Sequence, residues 1–440
     1  MTTMFAHYLE LAVRHLRRNP VLTALMLATL AVGVAAAMAT LTVLRAMSAD
    51  PIPARSDRLF VPLLDLRPAG DGDDDHPPRL LSYRDAIALE AAHRGLRESV
   101  VYMVAPAVTP ARADVRPFFA HGLVVDADIF PMFDIPIVRG AAWSAADEQR
   151  AARVIVVREG FAARVFGDVD VVGRTLRLDR EDYTVAGVVA DSWRPLPRFY
   201  RLIGGAGAFT GDDDLFVPVT TAIATEMQPN GQRSCYGGGN RPGFAGLLES
   251  ECVWLHVWVE LRSAADAPAY RDFLAGYVAE QRKLGRFPRA DNNRLYNVNQ
   301  WLAVNKVVAR DSRLQTYLAF GFLLVCLVNT IGLMLAKFTA RAGEIGVRRA
   351  LGASRLTVFH QYLTEAGVIG LAGGGAGLGL TYVFLWLMSR RSQQLAALAH
   401  LDWVMFATTF GLAVGASLLA GLLPTWRACQ VRPAVQLKSQ

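Results

Sequence analysis

Four long apolar runs, unevenly spaced, constrain this chain more than any other feature of its sequence. One lies near the N-terminus and three crowd the last third of the chain: 21–44, 314–336, 367–388 and 403–423. A bilayer core of about 30 Å requires about 20 apolar residues for each helical crossing, which is about the length of each run. The sequence therefore predicts a membrane protein with four transmembrane helices and a large polar domain between the first and the second.

Charge predicts how the chain is oriented in the membrane. Hydrophobic residues make up 52% of the chain and the net charge is +7. The basic residues cluster beside three runs: Arg14, His15, Arg17 and Arg18; Lys337, Arg341, Arg348, Arg349 and Arg355; and Arg427, Arg432 and Lys438. Basic loops stay in the cytoplasm, so both termini are predicted to lie inside and the large domain outside. Arg390 and Arg391 oppose this orientation and are outnumbered. The same pattern argues against a nucleic-acid partner.

Two cysteines lie in the predicted outer domain. Cys235 and Cys252 flank a glycine-rich loop. A disulfide between them is compatible with an oxidising compartment, and two free thiols are the alternative. The sequence Ala35-Ala36-Ala37 resembles a signal-peptide cleavage site, but the apolar run continues to Leu44, so we expect an uncleaved anchor.

The outer domain alternates short strand patterns with helix patterns, which predicts an α/β or α+β domain. The strongest strand pattern, 253–261, contains Trp254 and Trp258, which we expect to pack in the core. Residues 290–320 contain neither glycine nor proline, so we expect one continuous helix leading into the membrane. The acidic tract 71–75 next to His76 lacks the spacing of a calcium loop and is interpreted as a solvated loop, not a metal site.

These patterns divide the chain into ten segments. They are an interfacial amphipathic helix (1–19), transmembrane helix one (20–46), an outer domain (47–290), a stalk helix (291–313), transmembrane helix two (314–337), a cytoplasmic coupling segment (338–363), transmembrane helix three (364–389), a short outer loop (390–401), transmembrane helix four (402–424) and a cytoplasmic tail (425–440).

The most specific motif, GEIGVRRALGAS, occupies residues 343–354 after the second run. Glu344 and Arg348 are four residues apart and can pair on one helical face. The charged residues exclude burial in lipid, whereas the interleaved apolar residues need a cover that a solvated loop would lack. A loop that only fixes topology is the alternative, and a docking surface for a cytosolic protein accounts for both classes of residue.

This motif, written EIGVRRALGASR, resembles the FtsX-like, MacB-type ABC transporter permeases. The tail PTWRACQVRPAVQLKSQ and three outer segments carry the same resemblance: ADIFPMFDIPIVRGAAW, VVREGFAARVFGDVDVVGRTLRLDREDYTVAGVVAD and LFVPVTTA. The resemblance implies a membrane α-helical protein with an α+β periplasmic core domain of two lobes. The near lobe would contain 51–120 and 253–290, and the far lobe 121–252.

The resemblance also implies partners. The chain would sit in the bacterial inner membrane, pair with a second copy or a sibling permease, and contact membrane lipids and a cytosolic ABC ATPase that binds ATP and Mg²⁺. The docking residues would be Glu344, Ile345, Gly346, Val347, Arg348, Arg349, Leu351, Gly352 and Arg355. The sequence has no G-x-x-x-x-G-K-[ST] motif, so we expect no cofactor and no catalysis in this chain, and a separate motor polypeptide.

The third run is dense in glycine. Its small-xxx-small pairs, which let helices approach closely, are formed by Gly373, Gly375, Gly377 and Gly379. We expect them to pack the third run on the fourth.

The family leaves the function open. The resemblance favours efflux from the periplasm, with a periplasmic adaptor and an outer-membrane channel as possible partners. Lipoprotein extraction and control of a cell-wall hydrolase are the alternatives within the family. A membrane-anchored sensor or scaffold is the alternative from another class.

Overall fold

The computed structural model describes residues 14, 18–68, 76–202, 207–209, 211–237, 241–289, 292–308, 310–340, 343, 347, 351–391 and single positions between 407 and 426. The chain divides into two compact units. The sheet unit is Ala49–Val307, and the helical unit is Met1–Ser48 with Val308–Gln440. The predicted interfacial helix at 1–19 lies almost entirely outside the described residues.

The helical unit contains three long helices within the described part of the chain. They are α1 (Pro20–Ser48), α10 (Arg310–Thr339) and α11 (Arg355–Arg391). The described residues of the sheet unit form eight shorter α-helices: α2 (Tyr83–Ala91), α3 (Ile129–Met132), α4 (Ala145–Gln149), α5 (Glu159–Phe166), α6 (Val219–Ala224), α7 (Gly243–Glu249), α8 (Ala267–Lys283) and α9 (Val298–Val304).

The sheet unit is organised around one mixed sheet of 14 strands. The strands are β1 (Leu59–Leu63), β2 (Leu81–Ser82), β3 (Arg97–Val104), β4 (Ala107–Thr109), β5 (Phe118–Phe119), β6 (Gly122–Val125), β7 (Ile137–Gly140), β8 (Val154–Arg158), β9 (Thr175–Leu178), β10 (Glu181–Val189), β11 (Leu215–Pro218), β12 (Ser234–Cys235), β13 (Cys252–Glu260) and β14 (Arg294–Asn297). Their main order is β14-β1-β13-β3-β6-β11-β8-β10-β9-β4-β5. The pairs β6–β11 and β8–β10 are parallel and the others are antiparallel, so the unit is α+β as predicted.

Strand β13 forms the centre of the hydrophobic core. All nine of its residues are buried, because it pairs with β1 on one side and with β3 on the other. Trp254 and Trp258 lie in the core as expected, with 1% and 0% of their surfaces exposed. A strand buried on both faces has a continuous apolar sequence rather than an alternating one, which is why its sequence signal is strong.

The predicted division into two lobes is not confirmed. Strand β3, assigned to the near lobe, pairs with β6 of the far lobe along four residues. Strands β4 and β5, also assigned to the near lobe, join the sheet next to β9 of the far lobe. The described residues of both predicted lobes therefore share one sheet.

The continuous stalk helix predicted over 291–313 is wrong. Residues Arg294–Asn297 form β14, paired with β1, and a separate short helix, α9, follows. The Asn297 side chain accepts a hydrogen bond from the Gln300 amide, and the Gln300 side chain accepts one from the Asn297 amide. This capping box starts a new helix at Val298 without glycine or proline. Helix α9 then ends at Val304 with Asn305 as its C-cap, and the positive φ of Lys306 (51°) interrupts the helical path before α10.

Candidate functional site

Within the part of the helical unit that the structure describes, three helices are long and apolar enough to cross a membrane. Their apolar spans are Pro20–Ser48, Ser312–Lys337 and Leu356–Arg390. They correspond to the first three predicted transmembrane helices. The fourth, predicted over 402–424, lies outside the described residues apart from single positions.

Helix α1 contacts both α10 and α11, and glycine residues allow the close approach. A Cβ atom placed on Gly33 of α1 would lie 2.9 Å from the Cβ atom of Cys326 in α10. A Cβ atom on Gly377 of α11 would lie 2.9 Å from the Cβ atom of Val34, and one on Gly373 would lie 2.6 Å from a methyl group of Leu30. Helix α1 is therefore packed between the other two helices through small residues.

The expectation that the glycines of the third run pack on the fourth is corrected for Gly373 and Gly377, which contact α1. A Cβ atom on Gly375 or Gly379 would have no neighbour within 4 Å among the residues that the structure describes. Glycine spacing identifies the helix face that can approach a partner, but it does not identify the partner helix. Gly367, which was not singled out, is the residue of α11 whose added Cβ atom would lie 3.6 Å from Leu418 of the fourth run.

An ion pair connects α10 and α11. Lys337 lies near the end of α10 and Glu365 lies in α11; their charged groups are in contact and both side chains are buried. Sequence reasoning counted Lys337 only as a topology signal and did not consider Glu365. The available signal was a lone carboxylate near the start of the third apolar run and a lone lysine at the end of the second.

The predicted docking motif is described only in part. Glu344, Ile345, Gly346, Arg348 and Arg349 lie outside the described residues, as does the side chain of Arg355. Val347 and Leu351 are 51% and 83% exposed, and the Leu351 amide donates to the Val347 carbonyl at 3.0 Å, as in a helical turn. Two exposed apolar side chains therefore lie one turn apart on the same face.

The backbone conformation at the end of this motif accounts for its Gly-Ala-Ser sequence. Gly352 has a φ of +103°, which favours glycine and ends the turn containing Leu351. The Ser354 hydroxyl then accepts a hydrogen bond from the Thr357 amide at 3.1 Å and caps the start of α11. The Gly-Ala-Ser sequence thus separates two helical pieces.

In the sheet unit, Cys235 and Cys252 are bonded as a disulfide. They are direct neighbours in the antiparallel register of β12 and β13. The bond attaches β12, whose two residues are exposed, to the buried central strand.

A group of carboxyl groups at the β3–β6 side of the sheet unit was missed by sequence reasoning. Burial raises the pKa of Glu98 to about 7, and hydrogen bonds from backbone amides oppose that change only in part. Burial raises the pKa of Asp126, and repulsion from Glu90 adds to this. Burial also raises the pKa of Glu90, and the hydrogen bond between its side chain and that of Asp126 opposes this change. Among the residues that the structure describes, no group of three or more His, Cys, Asp or Glu side chains is arranged to hold a metal ion.

Comparison with known proteins identifies the family. The model of the MacB-like periplasmic core domain matches residues 23–275, more than half of the chain, and the model of the FtsX-like permease C-terminal region matches residues 317–433. The chain belongs to the MacB/FtsX-like family of ABC transporter permeases. The matched periplasmic core domain and the apolar helices indicate an inner-membrane protein.

Curated relatives are similar over most of this chain. The macrolide export ATP-binding/permease protein MacB of Bdellovibrio bacteriovorus is 26% identical over 68% of this chain and 41% of the relative. The probable syringafactin export ATP-binding/permease protein SyfD of Pseudomonas syringae is 26% identical over 70% of this chain and 40% of the relative. The chain thus spans about two fifths of the length of these relatives.

Among solved structures, the periplasmic region of MacB from Actinobacillus actinomycetemcomitans matches this chain with 14% identity and a TM-score of 0.37. The match covers 59% of this chain and 96% of that chain.

Proposed function

We propose that this chain is a permease subunit through which a cytosolic ABC ATPase, lying outside these 440 residues, drives a conformational change in the periplasmic sheet unit. ATP and Mg²⁺ would be bound by the ATPase, and the present chain would transmit movement rather than catalyse a reaction. A second copy or a sibling permease would complete the transporter.

The connections between the two units carry this proposal. Helices α1 and α10 pack on each other, and the strands nearest to them in sequence, β1 and β14, are hydrogen-bonded neighbours. The Asp50 carboxylate, two residues after α1, accepts a hydrogen bond from the Asn299 side chain of α9 at 3.0 Å. The exit from α1 and the approach to α10 are therefore tied together within the sheet unit. A displacement shared by the two helices would reach one edge of the sheet through both connections.

The exposed apolar residues of the docking motif support an ATPase contact. Val347 and Leu351 are exposed apolar residues one helical turn apart, and the charged residues Glu344, Arg348 and Arg349 lie close to them in the sequence. An apolar centre surrounded by charged residues is typical of a protein interface. Under the predicted topology this surface faces the cytoplasm.

The test begins with the tagged chain purified from its native membrane. We expect an ABC ATPase, identified by mass spectrometry and by its Walker A sequence, to copurify and to hydrolyse ATP. The variants Leu351→Asp and Arg348→Glu should reduce recovery of the ATPase at least tenfold. Each introduces a negative charge into the contact, in place of an apolar or a positively charged side chain. Glu249→Lys, which reverses an exposed charge in the sheet unit, is the matched control and should have no effect.

Two results would refute the assignment. One is a folded chain from which no ABC ATPase copurifies, which would favour a sensor or scaffold. The other is normal recovery and normal ATP hydrolysis with both docking variants, which would place the contact elsewhere.

The functions named for the relatives, macrolide export and probable syringafactin export, support export as the transport activity of the complex. Deletion of the gene should raise cellular accumulation of a macrolide, and expression of the intact chain should reverse this. Retention of lipoproteins in the inner membrane, with unchanged accumulation, would instead favour lipoprotein extraction. Copurification of a periplasmic adaptor and an outer-membrane channel would support efflux across both membranes.

A further inference from the structure

The Lys337–Glu365 ion pair lies beside the segment that is proposed to meet the ATPase. Helix α10 ends at Thr339, two residues after Lys337, and α11 begins at Arg355, ten residues before Glu365. The pair thus joins the two helices on either side of the 340–354 segment. Each helix continues from there into the membrane.

Buried apolar residues lie on both helices beside the pair, and the buried Gln361 lies one turn before Glu365. Met334 lies one turn before Lys337 on α10, and Tyr362 and Ile369 lie one turn to either side of Glu365 on α11. These three residues belong to one buried cluster, which also includes Met26 of α1. Placing two charges beside such a cluster carries a desolvation cost that their attraction only offsets when the geometry is good.

Packing alone therefore does not explain the pair. Replacing a buried ion pair by apolar side chains of similar volume is often neutral or stabilising. An ion pair differs from an apolar contact because it is satisfied only in one arrangement, which fixes the rotation and the axial register of the two helices. Ionisable residues within membrane-spanning segments are also more often functional than structural.

We propose that Lys337 and Glu365 form the joint that makes α10 and α11 move as one body when the 340–354 segment is displaced. Both are positioning residues, since they would act through the helices they connect. The inference rests on the proposed function, because it assumes that the ATPase displaces this segment. Without the joint, movement of the segment would be absorbed by sliding of one helix past the other.

The joint can be tested in the full chain, without the ATPase. Spin labels at Leu314→Cys on α10 and Tyr382→Cys on α11 occupy exposed positions. Cys326→Ala and Cys429→Ser remove the other thiols. We expect a narrow distribution of label-to-label distances in the parent chain, measured by pulsed electron paramagnetic resonance in nanodiscs.

The decisive variant replaces both charges: Lys337→Met with Glu365→Leu. We expect its melting temperature to stay within about 3 °C of the parent, because the apolar pair fills the same volume. Its distance distribution should nevertheless become several ångströms broader. Lys337→Arg, which keeps the charge, should retain the narrow distribution. A distribution as narrow in the apolar variant as in the parent would overturn the proposal.

A single replacement provides an independent check. Lys337→Met alone leaves Glu365 without its lysine partner and should lower the melting temperature by about 5 °C or more. An unchanged melting temperature would show that the ion pair does not form in the membrane.

The last measurement uses the copurified ATPase complex. ATP binding should leave the label distance unchanged in the parent and shift it in the apolar variant. A shift in the parent would refute a rigid joint. Absence of the ATPase from the purified chain would refute the proposed function, while the distance distribution of the chain alone would still decide whether the joint exists.

Discussion

Glu98 on β3 should make the stability of the sheet unit depend on pH. Its side chain is buried, and its Oε1 atom accepts a hydrogen bond from the Gly95 amide at 2.8 Å. Burial raises the pKa of Glu98 from the ordinary value of 4.5 to about 7, with repulsion from Glu90 in the same direction and attraction to His93 against it.

The sign and size of the effect follow from this change in pKa. Between pH 4.5 and 7 the folded chain holds a proton on Glu98 that the unfolded chain has released. The stabilising contribution is therefore complete below pH 4.5 and is lost as the pH rises to about 7. The difference between 4.5 and 7 corresponds to about 3.4 kcal/mol, which solvent screening at the edge of the site reduces to about 2 kcal/mol.

Glu98→Gln removes the titration while keeping a carbonyl that can accept from Gly95. We expect the free energy of unfolding of the parent, relative to that of the variant, to fall by about 2 kcal/mol between pH 4.5 and pH 8. Urea unfolding of the full chain in detergent can be followed by tryptophan fluorescence. Five of the eight tryptophans lie in the sheet unit: Trp143, Trp193, Trp254, Trp258 and Trp301.

The pH dependence of the free energy of unfolding must be compared between the parent and Glu98→Gln, because the glutamine amide itself changes that free energy at every pH. Glu280→Gln, on the exposed surface of α8, is the matched control. It should change neither the free energy of unfolding nor the pH dependence of that free energy. If parent and Glu98→Gln lose stability in parallel between pH 4.5 and pH 8, Glu98 is not protonated in the folded chain and the reasoning fails.

Three further predictions concern packing, cross-linking and capping. Gly377→Ala should cost about 1–3 kcal/mol and lower the melting temperature, because the new methyl group meets α1. Gly379→Ala, whose new methyl group meets none of the described residues within 4 Å, should not, and equal melting temperatures of the two variants would contradict the packing. Replacing Cys235 and Cys252 by serine should lower the free energy of unfolding by about 3 kcal/mol, given their sequence separation of 17, and urea unfolding measures this change. No change in that free energy on replacement or on reduction would argue that the disulfide does not form. Asn297→Ala should destabilise α9 by about 1 kcal/mol, seen as faster amide exchange confined to that helix, and uniform exchange would refute the cap.

Local sequence patterns predicted the elements whose environment is uniform. The apolar runs that became α1, α10 and α11 are long enough to be recognised by composition alone. Strand β13 was also recognised, since burial on both faces produces a continuous apolar sequence. The Ser82 side chain caps α2 by accepting a hydrogen bond from the amide of Asp85, a spacing of three residues that is visible in the sequence.

Features that depend on distant residues were not predictable in the same way. The small-residue pattern of α11 was correct in kind, but its partner helix depends on the three-dimensional arrangement of the helical unit. The joining of both predicted lobes by one sheet depends on the pairing of β3 with β6, which no local pattern specifies. The predicted stalk failed for a local reason, because the cap at Asn297 acts without the glycine or proline that usually marks a boundary.

The interruption between α9 and α10 changes the mechanics of the connection. Unbroken helices resist bending, whereas the described residues 305–308 and 49–58 are not helical on either connection. These two non-helical segments can transmit a pull along the chain, but they transmit bending less well than a continuous helix. We therefore expect the two connections to pull on the sheet unit when α1 and α10 move along the chain direction. Tilting of these helices would have little effect on the sheet.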